Sequence, residues 1–284
     1  MALTKKSAFL AGAVTLVAAV STFAFAAGGG TGDYKMEHKH WHFNGAFGTY
    51  DHTAAQRGYQ VYREVCAACH QLEHLSFRHL GDKGAPFYDK NYPNPNDNPY
   101  VKNFAADWTI EAIDSETGDV IDRPGVPADN FPPIFANDAA AQASNGGALP
   151  PDLSVIVAAR GGGADYLYNL LIAYETPKPD DVELTSGLHY NPVMDGGKIS
   201  MAAPLSDGLV EYADGTPATV KQMAADVTEF LAWSADPKME QRKGAGLMTM
   251  IYLTILAILL WFSYKRVWKA VSYTHLTLPT KRIV

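Results

Sequence analysis

The sequence predicts a mainly α-helical domain with long loops, followed by one C-terminal transmembrane helix. Three observations carry this expectation. Gly58, Tyr62, Val65, Cys66 and Cys69 fall at i, i+4, i+7, i+8 and i+11, a single apolar stripe of an amphipathic helix. Residues 81–103 and 124–133 are dense in Pro, Asn, Asp and Gly, the residues of irregular connections. Residues 244–264 carry no charge and are about long enough to cross a bilayer at the helical rise.

In chain order, the N-terminus reads as a secretory signal. Lys5 and Lys6 form a basic n-region, residues 8–20 an apolar core, and Ala24-Phe25-Ala26 an A-x-A cleavage site. Residues 1–26 are therefore expected to be a signal peptide, and residues 27–239 a periplasmic domain. That domain holds 14 Lys/Arg against 29 Asp/Glu, a net charge of −15, where the whole chain shows −7. A field of that sign argues against nucleic acid and suits the steering of a basic protein partner. His38, His40 and His42 alternate around Trp41. Such a tract can bind metal, but no carboxylate or cysteine completes a site, so a surface segment is expected.

Thr53-Ala54-Ala55-Gln56 has the capping-box pattern and is expected to start the first helix. At the end of that helix stands Cys66-Ala67-Ala68-Cys69-His70, C-x-x-C-H, the attachment signature of a c-type haem. Positions i, i+3 and i+4 share a helix face. Both thiols can thus reach the two vinyl groups of one porphyrin, and His70 can ligate its iron from the proximal side. A redox dithiol would need a βαβ pattern around it, and a zinc site further thiols; these are the chain's two cysteines. One covalent haem c is the expectation, and export agrees with it. His74 and His79 lack the position that the thioethers impose and are expected to be exposed or hydrogen-bonded.

Downstream, residues 81–103 read as loop, 105–113 as a helix, 116–120 as a hairpin-like turn and 124–133 as irregular. Long loops in a compact domain need a reason, and wrapping a large flat cofactor supplies one. Residues 145–154 lead into a helix ending near Arg160. Gly161-Gly162-Gly163 breaks it, and residues 164–174 resume with Tyr166, Leu167, Leu170, Leu171 and Tyr174 at helical spacing. Arg160, one of five arginines in the exported domain, suits either a haem propionate or a surface ion pair.

A methionine opposite the histidine would raise the potential of a low-spin carrier relative to a second histidine. Met36, Met194, Met201, Met223 and Met239 are the candidates. Met223 lies on the apolar stripe of residues 220–231 and reads as core, while Met239 adjoins the anchor. Met201, in a loop held by Pro204, leads, with Met194 next. Thr216 is expected to cap the last soluble helix, with Pro217 in its first turn. Arg242 and Lys243 precede the apolar run, Lys265, Arg266 and Lys269 follow it, and Trp261, Tyr264 and Trp268 form an aromatic belt. Residues 240–269 thus read as a single-pass inner-membrane anchor and its flanks, with the C-terminus cytoplasmic.

Residues 57–70, 145–154, Ala159-Arg160 with Asp165-Tyr166, residues 199–202, 214–219 and 235–238, and the terminal anchor occur in an order that resembles the cytochrome c1 family, the haem subunit of the cytochrome bc1 complex (ubiquinol–cytochrome c reductase). The resemblance implies a cytochrome-c-like helical fold, with His70 and Met201 as axial ligands and Arg160 and Tyr166 as propionate partners. It implies cytochrome b and a Rieske iron–sulfur protein as partner subunits, a soluble basic cytochrome c as electron acceptor, contact with membrane lipid, and a dimeric complex. The chain would be a subunit of an oxidoreductase rather than an enzyme by itself. Ala203 departs from the proline usual there, and the extra cysteine pair of some bacterial relatives is absent. Two other readings differ in what they predict. A free-standing membrane-tethered cytochrome would donate directly to an oxidase, and a haem sensor or peroxidase would leave the iron open. The tail, residues 270–284, looks like translated sequencing-adapter DNA and is left out of the functional argument.

Overall fold

The structure is a computed structural model that describes residues 34–276; the expected signal peptide and the last eight residues lie outside them. Helix α1 (His52–Glu64) is capped by Asp51, not by Thr53: the Asp51 carboxylate accepts the Thr53 and Ala54 N–H groups, each at 3.0 Å. A carboxylate bonds the first N–H groups and also complements the positive end of the helix dipole, so it outcompetes the threonine hydroxyl. The α-helix ends before the haem motif, which continues as a 3-10 turn over Cys66–Ala68.

Helix α1 makes its largest contact with helix α6 (Val220–Ala235). Gly58 marks the closest approach. A Cβ there would fall on the Asp226 carbonyl and press on the Phe230 side chain, so only glycine lets the two backbones come this near. Beside it, Arg57 Nε and Nη2 bond both oxygens of Asp226, at 2.9 Å each, and Asp226 is buried. Around this crossing Tyr59 packs against Phe87, Phe104 and Phe230 with ring centroids 5.4, 4.8 and 5.5 Å apart. Met223 and Trp233 are fully buried, which bears out Met223 as core.

Residues 81–103 are not all loop, and 105–113 are not a helix. Asn98 accepts the Tyr100 N–H at 2.9 Å and Pro99 takes the first position of helix α2 (Pro99–Ala106). That pair is a capping residue followed by an N1 proline, which favours a helix start. Strand β1 (Thr109–Ile113) then pairs antiparallel with β2 (Val120–Pro124), so the hairpin at residues 116–120 is borne out and its first arm replaces the expected helix. The short helix α3 (Asp138–Ser144) begins at an Asn137 cap, and α4 (Ile156–Ala159) and α5 (Gly163–Ile172) flank the glycine break as expected. A second two-residue ladder joins β3 (His189–Tyr190) to β4 (Lys198–Ile199). Helix α6 is capped by Thr219, whose hydroxyl accepts the Gln222 N–H at 3.2 Å. The Thr216-Pro217 pair precedes the helix instead of starting it.

The last helix, α7 (Met239–Leu276), contains one candidate membrane span among the described residues, Met239–Lys269; Met239 is buried in the domain, and the most apolar 18 residues of the span are all unburied. Its first turn is tied to the domain: Glu240 accepts the Tyr50 N–H at 2.8 Å, and Lys243 Nζ donates to the carbonyls of Phe43 and Gly48 at 2.6 and 3.0 Å.

Candidate functional site

The C-x-x-C-H segment keeps the spacing its chemistry needs. Although it lies past α1, the Cys69 and His70 N–H groups both return to the Cys66 carbonyl, at 3.1 and 2.9 Å. These i to i+3 and i to i+4 bonds bring both cysteines and the histidine onto one turn. Both cysteines are unpaired, Cys69 exposed and Cys66 partly buried. Burial pushes the Cys66 thiol up to about 12, with Cys69 adding to it. A redox dithiol depends on a depressed thiol, which Cys66 is not.

His70 is positioned from three directions. Its carbonyl accepts the Tyr62 hydroxyl at 3.1 Å, its N–H is bonded within the turn, and Nδ1 lies 2.8 Å from the Pro151 carbonyl. The carbonyl can only accept, so Nδ1 carries the proton and Nε2 presents its lone pair. Burial also lowers the imidazole's proton affinity, which outweighs the Pro151 hydrogen bond and keeps the ring neutral. A metal-ligating histidine is oriented this way, with one nitrogen on a backbone carbonyl and the other toward the metal.

Pro151 is itself held. The Leu153 N–H bonds the Gln71 carbonyl at 2.9 Å, Asp152 accepts the Glu73 N–H at 2.9 Å, and Ser154 Oγ accepts the His74 N–H at 3.2 Å. Ser234 on α6 donates to the Ser154 carbonyl at 2.8 Å, which joins this strip to the core. Leu149 and Val155 flank Pro151 and are 47% and 42% exposed, apolar surface that a porphyrin would cover. Two free thiols, a neutral imidazole with a free Nε2 and adjacent open apolar side chains together fit a haem c.

The other expected residues are placed as follows. Met201 is half-buried, and its carbonyl accepts the Tyr174 hydroxyl at 2.9 Å. Tyr166 donates its hydroxyl to Met194 Sδ at 3.3 Å. Arg160 is exposed at the C-terminal cap of α4; its carbonyl accepts the Gly163 N–H at 3.0 Å, and its guanidinium has no hydrogen bond or ion pair among the described residues. His79 Nδ1 accepts the Ser76 N–H at 3.0 Å, closing a capping box, and His74 is exposed; neither is presented as a ligand. His38, His40 and His42 are exposed, and no three-residue metal cluster is found among the described residues. A carboxylate does reach the tract: Asp165 takes His38 Nδ1 at 3.0 Å and Trp41 Nε1 at 2.7 Å, pinning the N-terminal segment to α5.

Two contributors were not visible from residue types. The Pro151 carbonyl that orients His70 is a backbone atom, and Tyr174 reads as one more member of an apolar stripe. The turn-forming segment 145–154 was the available signal for the first. For the second, the only signal was a hydroxyl on an otherwise apolar face.

The family model of the Cytochrome C1 family matches residues 41–271. A Saccharomyces cerevisiae protein named cytochrome c1, heme protein, mitochondrial, is 45% identical over 232 residues, covering 82% of this chain and 72% of that protein. Cytochrome c1 of Rhodospirillum rubrum is 37% identical over 276 residues, 92% of this chain and 96% of that one. Cytochrome b/c1 of Bradyrhizobium diazoefficiens is 41% identical over 277 residues, and the match covers 90% of this chain but only 39% of that protein.

Proposed function

The chain belongs to the cytochrome C1 family, and from that premise we propose that it is the electron-transfer subunit of a cytochrome bc1 complex. In this role it takes single electrons from a Rieske iron–sulfur protein and passes them to a soluble cytochrome c. The observation that carries the reading is His70 with Nδ1 tied to Pro151 and Nε2 free, on the same turn as two unpaired thiols. Haem c, when bound, supplies a one-electron ferric/ferrous couple.

The chain's own residues do the rest. Cys66 and Cys69 would hold the haem covalently, each as a thioether formed by S–H addition to a vinyl group, with no net oxidation. His70 Nε2 and Met201 Sδ would hold the haem iron, and Arg160 and Tyr166 would hold its propionates. Tyr166 would have to exchange its Met194 contact for a propionate oxygen. The acidic domain, on the periplasmic face of an inner-membrane anchor, steers a basic acceptor and speeds encounter at low salt.

Purification of the chain from solubilised membranes tests this reading. A cytochrome b and a Rieske protein are expected to accompany it, and the preparation should reduce a soluble cytochrome c with quinol. A haem protein that purifies alone and donates electrons directly to an oxidase would overturn it.

A further inference from the structure

The exported domain is strongly acidic, but its basic side chains are not scattered. Residues 78–102 hold Arg78, Lys83, Lys90 and Lys102 against Asp82, Asp89 and Asp97, and residues 237–243 hold Lys238, Arg242 and Lys243 against Glu240. Seven positive charges against four negative thus stand where the rest of the domain is negative. The two stretches meet at the start of α7. Gln241 Nε2 donates to the Lys83 carbonyl at 2.8 Å, and a Cβ on Gly84 would lie 3.7 Å from Glu240 Oε2.

From that junction the chain passes Pro86, whose carbonyl accepts Gln56 Nε2 at 2.6 Å, into an open cleft of about 520 Å³. Phe87, Tyr88, Lys90 and Tyr100 line it with Gln56 and Asp89. Tyr88, Tyr92 and Tyr100 are 38%, 39% and 57% exposed. The ammonium groups of Lys83 and Lys90 have no hydrogen bond or ion pair among the described residues, whereas Lys102 pairs with Asp97 and Arg242 with Asp236. Asp89 already accepts the Asn91 N–H at 2.8 Å. Tyrosines beside a membrane helix settle at headgroup depth, lysines lay their stems on apolar surface with the charge outward, and unpaired juxtamembrane lysines attract anionic lipid.

We propose that this face seats anionic phospholipid headgroups of the leaflet that α7 enters from the domain side. Lys83 and Lys90 meet phosphate oxygens, and Tyr88, Tyr92 and Tyr100 lie along the interface. Charge complementarity and direct continuity with the anchor favour lipid over a protein partner. The idea rests on α7 being a membrane span.

The test uses the full haem-loaded chain in nanodiscs of phosphatidylcholine, with and without phosphatidylglycerol. Lysines are labelled with a membrane-impermeant amine reagent and read by mass spectrometry. Lys83 and Lys90 should be labelled about fivefold less when phosphatidylglycerol is present, and Lys178, remote in sequence, equally in both. Lys90→Glu should lower the amount of phosphatidylglycerol retained in native mass spectra by a similar factor. Equal labelling of Lys83 and Lys90 in both discs, with α7 inserted, overturns the proposal, as does protection that needs added partner subunits, which would assign the face to a protein. Alkaline carbonate extraction tests the premise separately: a released chain has no inserted α7, and the proposal falls with it.

Discussion

The two sides of the proposed iron site are built differently. On the His70 side, the turn, Tyr62, Pro151 and the 71–74 strip are cross-bonded to one another and through Ser234 to α6. On the Met201 side, one tyrosine hydroxyl holds the backbone of Met201, and the loop around it is largely exposed. The His70 imidazole is therefore oriented by the packed core, whereas the Met201 sulfur depends on a loop. Such loops open at low free-energy cost, so distal ligation should be the first feature lost under stress.

Four measurements would break or sharpen this contrast, from the largest effect down. Met201→Leu should abolish the methionine–iron absorbance band of the oxidised protein, leaving covalent haem in place. It should also lower the potential by a sizeable part of the roughly 0.8 V that axial ligation spans. An unchanged spectrum would transfer the role to another residue, with Met194→Leu as the next variant.

Arg57→Met tests the proximal frame. It removes the charged partner of the buried Asp226 carboxylate and leaves it the neutral Gln222 Nε2 donor, at 3.0 and 3.1 Å, so a loss of about 3 kcal/mol in denaturant unfolding is expected. A loss confined to the Met201 band, with global stability intact, would contradict the division drawn above.

Glu229 probes the α1–α6 junction through pH. Its side chain is buried and accepts the Asp51 N–H at 2.9 Å, and desolvation first, then neighbouring carboxylates, raise it from 4.5 to about 7. The folded state therefore holds this proton more tightly than the unfolded state does. Its stabilising effect is full below pH 4.5 and is lost as pH rises through 7. Glu229→Gln keeps the acceptor and should flatten that slope, gaining roughly 1–3 kcal/mol at pH 8. A slope that persists in the variant would assign the titration elsewhere.

Tyr174→Phe is the smallest change. It removes one hydrogen bond worth about 1 kcal/mol, so the population lacking the methionine–iron band on warming should rise about fivefold while unfolding barely shifts. No change in that population would mean that other contacts hold the distal loop.

The elements that were legible in advance depend on neighbours in sequence. The C-x-x-C-H spacing, the glycine break after Arg160, the turn at residues 116–120 and the uncharged run of α7 all express local geometry or length. Where reading failed, two local signals competed. Asn98-Pro99 is both a turn pair and a helix start, and residues 105–113 suit a helix until pairing with residues 120–124 makes them a strand.

By itself, the sequence determined the haem c expectation and the candidate membrane span, since two thiols and a histidine within five residues, or an uncharged run of membrane length, need no distant partner. Only the tertiary structure decided that Gly58 lets α6 approach, that Tyr166 faces Met194 and that Pro151 takes the proton-bearing nitrogen of His70. Each of these is a choice among several chemically adequate partners. Packing between residues 28 or more positions apart selects among them, because it sets which groups arrive within reach.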